Sequence, residues 1–211
     1  MITDDQVRQA AEHWYNLIYT QWITEHFLTP TWFFQVLFVL FSYGVFFYLV
    51  DKKRIVQILL FGSLVAVSFS VYDSIGEQLG QWEYLKLILP FSPNFFLGDL
   101  TLIPLYAMLV YQYTSSWGTF LLGLIVWAGL FVFVVFNYLY SILSIFHYIT
   151  PISKYLDFFL FLLDGIIARG ILIILLKQEA TRGNMASRAS LSHLLAQPAM
   201  KPFDKEDTDK E

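Results

Sequence analysis

The chain has no cysteine in 211 residues, which excludes disulfides, thiolate metal sites and cysteine nucleophiles. Charge is scarce as well. Charged residues make up 14%, against about 25% in an ordinary soluble domain. So few charges cannot cover a globular surface in water, which excludes a typical soluble enzyme and a disordered chain. A net charge of −4 excludes a basic nucleic-acid binder. No phosphate loop, dinucleotide fingerprint, Gly-x-Ser-x-Gly or zinc-peptidase motif occurs, so no cofactor is expected. His13, His26, His147 and His193 lack metal-ligand spacing, and no metal is expected either.

What the chain does have is apolar surface. Hydrophobic residues make up 57% and aromatics 19%, and mean hydropathy is +0.57. The expected fold is all-α, a multi-pass membrane bundle, because a spanning helix needs roughly 20 mainly apolar residues. Five stretches qualify: Pro30 to Val50, Ile55 to Tyr72, Phe95 to Tyr113, Trp117 to Tyr140, and Tyr155 to Leu176. The first opens at Thr29-Pro30-Thr31, a cap followed by a proline-tolerant first turn, and stops at Asp51-Lys52-Lys53-Arg54. Met1 to Gln9 is polar and acidic, unlike a signal peptide, so the first span is expected to stay as an anchor.

Basic residues set the expected orientation. Lys52, Lys53, Arg54, Lys177, Arg182 and Arg188 fall on one side, and only Arg8, Lys86 and Lys154 on the other. The first side is expected to be cytoplasmic, with the N-terminus outside. Residues 1–29 form a separate unit, in which Val7, Ala11, Trp14, Ile18 and Trp22 recur at helical spacing. This reads as an amphipathic helix lying on the outer surface or closing the bundle as a lid. Glu12, His13, Glu25 and His26 make a sixth span too costly. Residues 177–211 are rich in Ser, Ala and charge and read as a disordered cytoplasmic tail.

Polar residues inside the spans must find partners. Residues seven apart lie within about 20° of one another on a helix. That pairs Gln35 with Ser42, Ser63 with Ser70, Tyr106 with both Asp99 and Tyr113, and Asp157 with Asp164. Asp73 and Glu77 continue the second stripe, and the fourth span contributes Asn137. Gln35, Ser70, Asp73, Asp99, Asn137 and Asp157 fall at one level in the outer half. These residues predict a polar cavity opening outward, against the simpler reading of interhelical hydrogen bonds worth about 1 kcal/mol each.

Asp164 stands near the middle of the fifth span, where an ionised carboxylate costs at least about 2.5–3.5 kcal/mol. It must be protonated, paired or facing water. Arg169 is the only basic residue within a span, and its five-residue offset from Asp164 is poor for a direct pair. The loop after the second span gathers Asp73, Glu77 and Glu83 with Trp82 and Tyr84, and Asp99 opens the next span. Close carboxylates raise one another's proton affinity, which suits general-acid work; they can also hold a hard cation. Pro104 is expected to kink the third span beside Asp99.

Gly80-Gln81-Trp82-Glu83-Tyr84, Leu89-Pro90-Phe91, Asp99, Ile103-Pro104-Leu105-Tyr106, Met108-Leu109 and Tyr111-Gln112-Tyr113 carry a resemblance. The region from Lys52 to Leu176 is similar to a family of small multi-span membrane proteins of spore-forming Gram-positive bacteria, which is carried as uncharacterised. Leu85 stands where that family often has proline. The resemblance implies a bacterial cell membrane and brings no activity.

Three functions follow as expectations. The first is a non-enzymatic sensor or accessory subunit, with the bilayer, a protein partner or a second copy of itself around it. The second is a membrane-embedded enzyme on a small apolar ligand such as an isoprenoid, with a carboxylate as general acid. The third is a proton- or cation-coupled transporter using Asp164.

Overall fold

A computed structural model describes residues 2–90 and 98–182 of the chain. The residues beyond 182, including the short Leu191, Leu194 and Leu195 segment, lie outside the described part, as does the start of the expected third span at 95–97. The fold is mostly helical. Four helices are long and apolar enough to cross a membrane, and they cover Pro30–Leu49, Lys52–Gln78, Trp117–Tyr140 and Ser153–Glu179.

Local chemistry sets the helix ends. Helix α1, Asp4–Gln21, starts at a capping box between Thr3 and Gln6 and runs into a π turn, Trp22–His26. Helix α2, Pro30–Leu49, starts at Thr29, whose hydroxyl accepts the Trp32 N–H, and has Pro30 in its first turn. Asp51 accepts the Lys53 N–H at 2.9 Å and starts the short turn leading into α3, Ile55–Gln78. A π turn, Gly98–Leu102, leads into α4, Ile103–Tyr113. Helix α5, Trp117–Gly129, is capped by Ser116 and Thr119 and continues in π register over Leu130–Tyr140. Helix α6, Ser153–Arg182, is the longest and carries helix into the segment expected to begin the tail.

The expected third span differs from the others. Its described helical part, Gly98–Tyr113, would be about 24 Å long at 1.5 Å per residue, shorter than a hydrocarbon core of about 30 Å. It is also the most enclosed helix. Leu102, Ile103, Leu105, Ala107, Met108 and Tyr111 are all buried, against α2, α3 and α5. Its two ends lie beside the two ends of α3. At one end the Gln57 amide donates to the Tyr111 hydroxyl, and at the other Asp99 and Asp73 line one cavity. Pro104 follows directly on the π turn Gly98–Leu102, an irregularity in the helix beside Asp99 where the kink is expected, and falls in the first turn of α4.

The outer surface of the bundle is apolar. Leu37, Leu40, Phe41, Val67, Leu122 and Phe159 are each more than half exposed, as suits contact with lipid tails. Inside, Phe61 stacks on Tyr111 at 4.6 Å and Phe69 meets Phe161 edge-on at 4.4 Å.

The all-helical expectation needs one amendment. Strand β1, Trp82–Tyr84, pairs antiparallel with β2, Phe146–Tyr148, in the register Trp82↔Tyr148, Glu83↔His147 and Tyr84↔Phe146. The Leu85 N–H donates to the Ile145 carbonyl at 2.8 Å, and the Ile149 N–H to the Gln81 carbonyl at 3.1 Å, which extends the ribbon. Gly80 makes the turn into β1 with φ of +65°, a value that suits glycine. Gly76 lets the Trp82 ring lie directly on α3, because a Cβ there would fall within the ring's own volume.

Gly76→Ala must therefore displace Trp82, with an expected loss of about 1–3 kcal/mol. The same change at Gly62 meets only the flexible Met108 thioether and should cost less. Thermal midpoints of the two detergent-purified variants test this. Equal midpoints would contradict the packing described.

Candidate functional site

The ribbon closes one end of the bundle. Side chains alternate along a strand, so Trp82, Tyr84, Phe146 and Tyr148 point inward, while Glu83 and His147 are exposed. Trp82 Nε1 and the Tyr84 hydroxyl each donate to Asp73 Oδ1 at 2.8 Å. The Tyr72 hydroxyl donates to Asp157 Oδ1 at 3.2 Å, and the Tyr148 hydroxyl donates to Asp157 Oδ2. Asp73 comes from α3, Asp99 from the π turn before α4, and Asp157 from α6. All three are at least 95% buried and line one cavity with Phe69, Phe136 and Phe161.

That cavity offers about 10 Å³ to the centre of a water molecule, room for one water. Among the described residues nothing donates to Oδ2 of Asp73 or Oδ2 of Asp99. Among the described residues no basic side chain forms a salt bridge with any of the three, and no group of His, Asp and Glu has the arrangement of a metal site. Burial, then the nearby Asp73 for Tyr84 and Asp157 for Tyr148, pushes both ribbon hydroxyls well above the usual tyrosine range. These hydroxyls stay protonated and act as donors. The arrangement is a narrow, aromatic-walled chamber with three acids and, among the described residues, two acceptor oxygens without a partner. Chemically it can hold a proton or a water, and it has no space for a larger substrate.

The remaining candidates from the sequence are dispersed. Glu77 is half-buried one turn along α3 from Asp73. Glu83 faces outward on the ribbon. The Tyr106 hydroxyl meets that of Ser42 at 3.1 Å, joining α4 to α2 away from the chamber. Gln35 is buried, with its amide 3.5 Å from the Lys86 carbonyl. Ser63 and Ser70 donate to their own helix, to Leu59 and Ala66, and so do not form an interhelical stripe. Asn137 is exposed and does not join the polar cluster. The π register after Leu130 shifts the helical phase, and the neighbouring Phe136 takes the inward position.

Asp164 and Arg169 do not pair. Asp164 Oδ1 accepts from Ser68 on α3, and its Oδ2 has no partner. It borders a pocket of about 150 Å³ between α3 and α6, lined also by Tyr72 and Leu163. Arg169 lies at the opposite end of the bundle from the chamber, against the turn between α4 and α5. A separate apolar groove of about 720 Å³, lined by Tyr106, Leu109, Leu122, Val126 and Phe131 among others, runs over α4 between α2 and α5.

Tyr72 and Tyr148 complete the chamber without having been candidates, and Tyr84 was read only as a neighbour of Trp82. Their signal was the matching alternation Trp82-Glu83-Tyr84 and Phe146-His147-Tyr148 in two loops. Pairing between loops this far apart is not visible in either one alone.

The segment after β1 is clamped from the N-terminal side. Trp22 Nε1 and Trp32 Nε1 both donate to the Ile88 carbonyl at 3.0 Å. Buried His26 accepts the Leu87 N–H on Nδ1 at 3.2 Å. Burial, and then Lys86, holds the His26 imidazole below the usual histidine range, with Glu25 opposing. The unfolded chain takes up the proton more readily, so this clamp's contribution is full above about 6.5 and is lost as pH falls below it. The protection factor of the Leu87 amide should fall below about pH 6.5, and His26→Gln should flatten that dependence. A protection factor that ignores pH would contradict this role for His26.

Fold and site together define a helical protein with four apolar helices of membrane length and a narrow carboxylate chamber beneath a short ribbon. No protein-family model matches the chain, and no curated protein and no solved structure is significantly similar to it.

Proposed function

We propose that the chain is a non-enzymatic multi-pass membrane protein, a sensor or accessory subunit, whose carboxylate chamber exchanges a proton and passes the change to the ribbon above it. One observation carries this reading. Asp73, Asp99 and Asp157, from three separate helical segments, share a cavity for a single water, and two of their oxygens have no partner among the described residues. Each added negative charge in so dry a space repels the others strongly. Ionisation therefore forces the three segments and their ribbon cap apart, and protonation lets them close.

In this reading α4 is the fifth crossing, because it runs beside α3 from the chamber to Tyr111. Lys52, Lys53 and Arg54 mark the cytoplasmic end, which sets the chamber and the N-terminus on the outer side. Helix α1 then lies along the outer surface as an amphipathic helix. The family resemblance points to a bacterial cell membrane, where the outer side meets variable pH. The outward-facing cavity inferred from sequence becomes a closed chamber that opens on ionisation.

The enzyme reading is less well supported. Among the described residues the large groove is lined by no carboxylate, the three-acid chamber has room for about one water, and the Asp164 pocket offers only about 150 Å³. A specific observation favours the proton-coupled transporter as a second reading. Tyr72 lines both the chamber and the Asp164 pocket and donates to Asp157, so it stands between two acid sites along the α3–α6 seam.

Hydrogen exchange of the ribbon amides at 82–84 and 146–148, followed against pH in reconstituted protein, tests the proposal. Protection should fall as pH rises, and Asp99→Asn should remove most of that dependence. Ribbon protection that does not change with pH, in wild type and variant alike, would refute the sensor reading. Proton flux into proteoliposomes that stops in Asp164→Asn would favour the transporter instead.

A further inference from the structure

The end of the bundle away from the chamber holds two arginines that, among the described residues, have no acidic salt-bridge partner. Arg169 is 6% exposed, and its guanidinium sits 4.4 Å from the Phe120 ring centre, 5.0 Å from that of Trp117 and 5.9 Å from that of Tyr111. Its Nη2 donates to the Ser115 carbonyl at 3.2 Å, while Nη1 is buried with no partner. The Arg54 guanidinium lies 5.8 Å from the centre of the same Tyr111 ring and donates through Nε to Gln57 at 3.2 Å. Among the described residues no acidic side chain forms a salt bridge with either arginine. Asp51, the nearest acid in the sequence, directs Oδ1 to the Lys53 N–H.

Aromatic faces offset part of a buried guanidinium's cost, at roughly 0.5–2 kcal/mol each, but they do not neutralise it. Two guanidiniums on one ring also repel. The Ser115 carbonyl that accepts from Nη2 lies in the turn between the end of α4 and Ser116, the cap of α5. Lys52 and Lys53 are exposed next to Arg54. Among the described residues no acidic side chain pairs with either arginine, and Lys52, Lys53 and Arg54 mark this as the basic end of the bundle, the end that the proposed topology sets at the headgroups.

We infer that Arg169 and Arg54, beside the start of α5, form a binding site for a phosphate oxyanion, supplied by an anionic phospholipid headgroup or by free phosphate. Arg169 provides the buried donor at Nη1, Arg54 the second charge, and Trp117 a reporter in contact with the site. This site is independent of the carboxylate chamber and of its proposed role.

Trp117 fluorescence and thermal midpoint of the detergent-purified full chain would be followed while adding phosphatidylglycerol, phosphatidylcholine or inorganic phosphate. Phosphatidylglycerol should saturably shift both signals, with phosphatidylcholine weaker, and Arg169→Gln should weaken binding by about tenfold or more, as expected when a charged donor is lost. Arg169→Lys should recover part of it, and Arg54→Gln, which keeps Arg169 and its rings, should also weaken it. A response to inorganic phosphate alone would identify free phosphate as the source. No response to any of the three, or an unchanged response in both Arg169→Gln and Arg54→Gln, would overturn the site.

Discussion

Asp73→Leu is expected to lower the stability of the bundle by about 2–5 kcal/mol, the largest effect of any single change at the chamber. Asp73 Oδ1 is the acceptor for two buried donors, Trp82 Nε1 and the Tyr84 hydroxyl. Leucine removes that acceptor and leaves both donors unpaired in an apolar core. Each unpaired donor costs about 1–3 kcal/mol. Both belong to β1, so the ribbon should loosen along with its anchor. Asp73→Asn retains an acceptor oxygen of similar position and should lose much less. Thermal midpoints, with ribbon hydrogen exchange as the local readout, distinguish the two variants. A neutral Asp73→Leu would mean that the ribbon is not anchored through this carboxyl.

Asp99→Leu is expected to act in the opposite direction. Asp99 is 2% exposed, and among the described residues nothing donates to its Oδ2. Its carboxyl lines the same cavity as two other acids. Replacing a buried carboxyl that has an unsatisfied oxygen by an apolar side chain of similar volume removes that desolvation cost, and here should stabilise by about 1–3 kcal/mol. The variant should melt higher than wild type and lose its pH response. Stability gained together with function lost is the signature of a residue retained for its chemistry. A destabilised Asp99→Leu would instead assign Asp99 a structural role.

Much of the helical frame was legible because long apolar runs bounded by caps and charge clusters specify membrane-length helices directly. The run from Trp117 to Tyr140 and the start at Pro30 correspond to observed helix ends. Helix α3 extends to Gln78, beyond the apolar run ending at Tyr72, because Asp73 and Glu77 lie past the last hydrophobic window yet remain helical. Length and composition do not decide α4, whose described part is short and enclosed by its neighbours. A hydropathy profile does not distinguish apolar neighbours from lipid.

The site was legible in depth but not in detail. Asp73, Asp99 and Asp157 fall at one level when helices of alternating direction are laid side by side, and they line one cavity. Asn137 satisfies the same depth argument and yet faces outward, because the π register from Leu130 breaks the period on which facing arguments depend. The ribbon was hidden for a different reason. Its strands are three residues each, and their register depends on a partner loop far along the chain rather than on local propensity. Without the ribbon, Tyr84 and Tyr148 could not be recognised as the donors that fix two of the three acids.

The most direct test of the proton-exchanging chamber is infrared difference spectroscopy of the reconstituted protein across a pH titration, in wild type and in Asp73→Asn, Asp99→Asn and Asp157→Asn. The account predicts a carboxylic-acid carbonyl band that converts to carboxylate with rising pH, loses intensity in Asp99→Asn, and changes frequency in the other two as their tyrosine and tryptophan donors rearrange. A pH-dependent carboxyl signal that is identical in wild type and all three variants, or no such signal at all, would contradict it.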